Sequence, residues 1–155
     1  MLFGIFIALL VVIIDQLTKY IVLHHVLKEY AAVIITPFFD IVRAWNTGVS
    51  FSMFNNWGIS GVYILSGVAL LIVCFLVKWL STEKNRTMQL ALGFIIGGAI
   101  GNVIDRVRLG AVFDFLDFHL GDSHWPAFNA ADSFICIGAT VIIIHSVFFN
   151  KKEVK

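Results

Sequence analysis

The sequence predicts a membrane protein of mainly α class, a bundle of four transmembrane helices with a small extracytoplasmic β-sheet. Of its 155 residues 59% are hydrophobic and only 14% charged, where a soluble domain carries about 25% charged residues. Mean hydropathy is +0.92, so much of the surface is expected to face lipid. The apolar residues gather into four long runs. Between the first two runs lies a stretch of β-branched and aromatic residues broken by turn signals. A chain this short is expected to form one domain, residues 1–155. Its net charge of +1 gives no basic footprint for a nucleic acid.

The four runs cover approximately residues 2–23, 59–80, 88–104 and 133–149. Crossing a hydrocarbon core about 30 Å thick takes about 20 helical residues. The last two runs are short by that count, so their ends borrow neighbours such as Phe128 or sit where the bilayer is locally thin. Backbone groups must be satisfied within lipid, and the runs lack the alternation of barrel strands, which leaves helices. The first run resembles a signal-peptide core. It has no basic leading region or small-residue cleavage site, and it carries Asp15 and Lys19, so it reads as a retained span.

An even number of spans puts both termini on one side. Lys78, Lys84, Arg86, Lys151, Lys152 and Lys155 fall on that side, against Lys28, Arg43, Arg106 and Arg108 on the other. Six against four favours cytoplasmic termini. The connections at about residues 24–58 and 105–132 then lie outside the cytoplasm. The first contains Ala32–Thr36 and Phe38–Trp45, separated by Pro37 and followed by Asn46-Thr47-Gly48. Residues 30–54 therefore read as a twisted antiparallel sheet on the outer membrane surface. Trp45, Trp57 and Trp125 fall near span ends, as an aromatic belt would. Gly93, Gly97 and Gly101 make a small-residue face on the third span that permits close helix contact. Cys74 and Cys136 sit near opposite membrane faces, so no disulfide is expected.

Polar groups at membrane depth are costly and each needs a reason. Asp15 and Lys19 are four apart on one helix face, either a self-neutralising pair or groups that orient a neighbouring site. Asn102, Asp105 and Arg106 end the third span within about one turn. Arg106 can snorkel, pair with a carboxylate or reach a peptide carbonyl. Asp114 lies between bulky apolar neighbours in Val112-Phe113-Asp114-Phe115-Leu116, which favours its protonated form. Asp132 opens the fourth span three residues after Asn129, in a variant of the capping box, where the helix N-terminus favours its ionised form. Asp132 is either a cap or, with Asp114, half of a general acid and base around one water.

Asp117, His119, Asp122 and His124 match no zinc-ligand spacing, so they read as a solvated loop and no metal is expected. His24, His25 and His145 lack a nearby serine or cysteine partner for nucleophilic catalysis.

The chain resembles the lipoprotein signal peptidase (signal peptidase II) family in five segments. They are Asp15–Lys19, Asn46–Phe51, Gly98–Arg106, Phe113–Phe115 and Phe128–Ser133, in the family's order across almost the whole chain. The resemblance implies that Asp114 and Asp132 are the catalytic aspartates. It implies that Asn46, Asn102, Arg106 and Asn129 support them and bind substrate, and that Asp15, Lys19 and Asp105 are structural polar residues. It also implies a four-helix fold with an extracytoplasmic β-cradle, in the bacterial cytoplasmic membrane. The substrate implied is a diacylglyceryl-modified prolipoprotein, cut just before its lipidated cysteine, with membrane lipid as surroundings. No cofactor is implied, and a monomer is expected. Phe113 departs from the family's commoner small aliphatic residue, and the N-terminus lacks the basic residues of many members. A proton-coupled transporter is the main rival, but it needs ionisable groups at mid-bilayer on several spans, and here they gather towards one face. A structural subunit docking on the glycine face leaves Asp114, Asp132 and Arg106 unexplained.

Overall fold

The structure, a computed structural model, describes residues 1–48 and 58–149. Among these, four helices are long and apolar enough to cross a membrane. Helix α1 is Leu2–Ile21 and continues as a π-helical turn, Val22–Val26. Helices α2, α3 and α4 are Gly58–Thr82, Arg86–Leu109 and Ala130–Phe149. Trp57, residues 49–51 of the Asn46–Phe51 segment, and Lys151, Lys152 and Lys155 lie outside the described residues.

Helix ends do not coincide with the ends of the apolar runs, because polar groups there are satisfied within the protein. Asn85 caps α3 by accepting from the N–H groups of Thr87 and Met88. The helix passes Ile104 and stops only at Gly110, whose φ of 73° gives the left-handed turn that ends helices. At the start of α4, Asp132 N–H donates to Asn129 Oδ1 and Asn129 N–H donates to Asp132 Oδ2, both at 3.1 Å. This reciprocal cap starts α4 at Ala130, three residues before the apolar run.

Helix α3 is the most enclosed of the four. Ala8 of α1, Val73, Leu76 and Leu80 of α2, and Leu92 and Ile96 of α3 form one buried cluster. The glycine face packs on α1: a Cβ at Gly93 would lie 2.7 Å from the Gly4 carbonyl oxygen, and one at Gly97 2.5 Å from that of Ala8. Gly98 and Gly138 do the same between α3 and α4.

The sheet has four antiparallel strands in the order β1-β2-β3-β4: Ala32–Thr36, Phe39–Asn46, Val112–Leu120 and Ser123–His124. Its second half corrects the reading of Asp117, His119, Asp122 and His124 as a solvated loop. Asp117 and His119 are strand residues, with Asp117 opposite Asp40 and His119 opposite His124. His124 Nδ1 lies 2.9 Å from Asp117 Oδ2, and His119 Nε2 lies 3.4 Å from Asp40 Oδ2. Only Asp122 of that group stays in the turn. Beneath the sheet Val22, Leu27, Phe113 and Phe115 form a second buried cluster. Arg43 of β2 donates to the Leu27 carbonyl and ties the sheet to the end of α1.

Candidate active site

Alternation along β3 places Asp114. Phe113 and Phe115 face the core under the sheet, so Val112 and Asp114 point the other way, into a cavity of about 620 Å³. Asn46, Asn102, Arg106, Asp132, Trp125 and Phe128 line the same cavity. Strand, helix end and helix start therefore converge on one space, which neither β3 nor α4 could form alone.

Asp114 is 2% exposed. Its Oδ1 accepts from Asn129 Nδ2 at 2.6 Å and its Oδ2 from Asn46 Nδ2 at 3.1 Å. Burial, followed by repulsion from Asp132, pushes its carboxyl from 3.8 up to about 7, against the two amide donors. Asp132 accepts at Oδ1 from Asn102 Nδ2 at 2.8 Å and at Oδ2 from the Asn129 N–H. The fully buried Asn129 thus contacts both carboxylates from behind the cavity. Its Nδ2 also reaches Asn102 Oδ1 at 3.2 Å. Arg106 donates to the Gly48 carbonyl at 3.2 Å, a backbone oxygen rather than a carboxylate.

A buried cluster lies beside these groups. Lys19 Nζ is 2.9 Å from Asp15 Oδ2, 2.8 Å from Asp105 Oδ2 and 3.1 Å from Asn102 Oδ1. Lys19 therefore pairs with Asp15 as their spacing of four allows, and the same ammonium also contacts Asp105 and Asn102 of α3. Gln16, to which sequence reasoning gave no role, donates to Asp15 Oδ2 at 3.1 Å, Asp105 Oδ1 at 2.9 Å and the Gly101 carbonyl at 3.3 Å. Its signal was present: an amide inside an apolar span needs a partner as much as a carboxylate does. Thr18 is different, since its hydroxyl bonds back to the Ile14 and Asp15 carbonyls of its own helix. Ser133 and Cys136 are further cavity residues not singled out from the sequence. Both cysteines are free thiols.

The model of the family described as "Signal peptidase (SPase) II" matches residues 7–148. A lipoprotein signal peptidase of Aeromonas hydrophila is 41% identical over 148 residues, covering 94% of this chain and 89% of that protein. One of Paraburkholderia phymatum is 45% identical over 140 residues, covering 88% and 82%. Among solved structures, a bacterial membrane enzyme determined by the in meso method at 2.3 Å resolution superposes with a TM-score of 0.81 at 34% identity. That match covers 98% of this chain and 93% of the other. A second such structure, at 1.9 Å resolution, gives a TM-score of 0.76 at 34% identity, covering 94% and 93%. With its family model matched over most of its length, the chain belongs to the signal peptidase II family.

Proposed function

We propose that this protein is an aspartic endopeptidase that removes the signal peptide from diacylglyceryl-modified bacterial prolipoproteins, cutting just before the lipidated cysteine. The observation that carries the reading is one buried residue, Asn129, which holds the Asp114 carboxyl with its side-chain amide and the Asp132 carboxyl with its backbone N–H, behind the single cavity that both aspartates line. Two carboxyls held together in unlike surroundings suit a general acid and a general base.

Asp114 carries the proton, consistent with a carboxyl pushed up to about 7, and Asp132 is the base. Asp132 takes a proton from water as the water oxygen bonds to the scissile carbonyl carbon. Asp114 gives its proton to the carbonyl oxygen, forming a tetrahedral gem-diol. That intermediate collapses by breaking the C–N bond, and the leaving cysteine nitrogen takes the proton held by Asp132. One hydroxyl proton of the gem-diol returns to Asp114, leaving the signal peptide as a carboxylic acid. Asn46, Asn102 and Asn129 fix the two carboxyls, and Arg106 binds a peptide carbonyl of the substrate. No cofactor or metal enters this scheme.

The same proposal places the chain in the bacterial cytoplasmic membrane as a multi-pass, single-domain monomer. Both termini are cytoplasmic, and the site faces the extracytoplasmic side, where the substrate's acyl chains lie among membrane lipid. The test uses Asp114→Asn and Asp132→Asn, each shown to be folded and inserted. Cleavage of a diacylglyceryl-modified prolipoprotein should fall by at least roughly 100-fold, the low end of what one positioned acid or base supplies. Mass spectrometry should place the new N-terminus at the lipidated cysteine. Near wild-type cleavage by either variant would remove the dyad.

A further inference from the structure

Two backbone N–H groups stand immediately before the two aspartates of the site, and a different buried carboxylate holds each. The Ala131 N–H donates to Asp15 Oδ1 at 3.0 Å, and Asp132 is the next residue. The Phe113 N–H donates to Asp105 Oδ2 at 3.2 Å, and Asp114 is the next residue. These two holding carboxylates are bridged twice, by the Lys19 ammonium at 2.9 and 2.8 Å and by the Gln16 amide at 3.1 and 2.9 Å. Lys19 also fixes Asn102. An ammonium has only donors, so the amide turns its oxygen to Lys19 and its Nδ2 to Asp132.

We propose that Lys19 and Gln16 are positioning residues that set the separation of Asp114 and Asp132, by clamping the two carboxylates that hold the backbone just before each aspartate. The inference rests on the reading of those aspartates as the catalytic pair. Helix α1 supplies Asp15, Gln16 and Lys19 but no residue of the cavity lining among the described residues. It acts through α3, α4 and β3, whose relative placement the clamp fixes. Two carboxylates buried with one lysine carry a large desolvation cost, which the bridging bonds must offset. A bundle needing only apolar packing has no use for such a cluster. The local backbone also makes room for it, since a Cβ at Gly101 would lie 2.5 Å from Asp15 Oδ2.

The test uses the full chain in lipid nanodiscs with a diacylglyceryl-modified prolipoprotein. Gln16→Met removes one bridge and leaves every charge in place. Asp15→Asn with Lys19→Met removes the other bridge, keeps the cluster's net charge, and leaves an amide oxygen to accept the Ala131 N–H. The charged groups around the pair are Arg106 and Asp105 of α3 and Lys19 and Asp15 of α1, so only the double variant alters that field. Each variant should lose roughly 10- to 100-fold in kcat per folded enzyme, the scale of a misplacement of about 1 Å. KM should stay within about twofold. The two apparent pKa values of the activity profile should draw together in Gln16→Met, because coupling between two carboxyls weakens with distance.

A purely structural role would lower the yield of folded enzyme without changing kcat per folded enzyme or the gap between the apparent pKa values. That result in Gln16→Met overturns the inference. So does a fall in kcat with the gap unchanged, since the two aspartates would then keep their separation. Failure of both variants to fold also overturns it, since the cluster would then hold the bundle rather than the dyad. If Asp114→Asn and Asp132→Asn are inert while Gln16→Met behaves as wild type, only the positioning inference falls. If those two variants remain active, the catalytic reading itself falls.

Discussion

Asn129 donates its side-chain N–H to Asp114 at 2.6 Å across the start of α4, while its Oδ1 caps that helix through the Asp132 N–H. One side chain therefore serves both the fold and the site, and Asn129→Ala should show two separable losses. Loss of the cap should cost about 1 kcal/mol of stability, read as a lower thermal midpoint. Loss of a hydrogen bond to a titrating carboxyl should cost about 2 kcal/mol in the reaction, roughly 30-fold in kcat/KM. A variant that loses stability but keeps kcat/KM would reduce Asn129 to a helix cap.

The raised carboxyl of Asp114 has a consequence for stability. In the fold it holds its proton to about pH 7, against 3.8 for the ordinary group. Between about pH 4 and pH 7 the native state therefore binds more protons than the unfolded chain, and stability falls as pH rises through that window. Below about pH 4 the penalty is absent, and above about pH 7 it is complete. Asp114→Asn should gain stability relative to wild type across the same window, by an amount on the order of a few kcal/mol. Thermal midpoints of both proteins from pH 4 to pH 8 measure this without any substrate. Parallel curves would mean that Asp114 is not the group burial has shifted.

The spans were legible because lipid demands long apolar runs, and the α4 cap because Asn129 and Asp132 sit three residues apart. The pairing of β1 with β2 was equally local. What the sequence hid is non-local. Strand β3 pairs with β2 across some seventy residues, Asn46 meeting Val112, and no turn signal links them. The same distance hid the fate of Asp117 and His119, whose polarity suits a loop until cross-strand partners bury them. Gln16 reaches Asp105 over 89 positions and Asp15 reaches Ala131 over 116. Only the packing of α1, α3 and α4 at their small residues brings those groups together.

Glycine substitutions should separate close contacts from free space. A Cβ at Gly98 would lie 2.5 Å from the Ala131 carbonyl oxygen, backbone that cannot move without shifting Asp132. Gly98→Ala should therefore cost about 1–3 kcal/mol and lower kcat as well. Gly67 on α2 has nothing within 4 Å of the same added atom, so Gly67→Ala should leave stability unchanged or slightly higher. Equal midpoints and equal activity for the two variants would contradict the α3–α4 contact.

Topology can be read by labelling. In a chain lacking Cys74 and Cys136, single cysteines at Asn85, in the α2–α3 turn, and at Ser123, in β4, should react with an impermeant thiol reagent from opposite sides of the membrane. The Asn85 position should label only from the cytoplasmic side. Reaction of both from one side would refute the four-span arrangement, and reversed sides would refute its orientation.

The proposed role of Asp114 also gives the activity profile a sign that a neighbouring residue should alter. In the proposed role of general acid, Asp114 must be protonated, so kcat/KM should fall as pH rises through about 7. Asn46 donates to Asp114 Oδ2 at 3.1 Å and so favours the ionised form, holding the carboxyl lower than burial alone would. Removing that donor in Asn46→Ala should move the alkaline limb to higher pH, even as the maximal rate falls. A hydrogen bond to a charged group is worth about 1.5 kcal/mol, so the displacement should be roughly one pH unit. Asp117→Asn, at a residue paired with His124 away from the cavity, should leave the limb where it is. A limb that moves to lower pH in Asn46→Ala, or stays put while kcat falls, would show that the group lost above neutral pH is not Asp114.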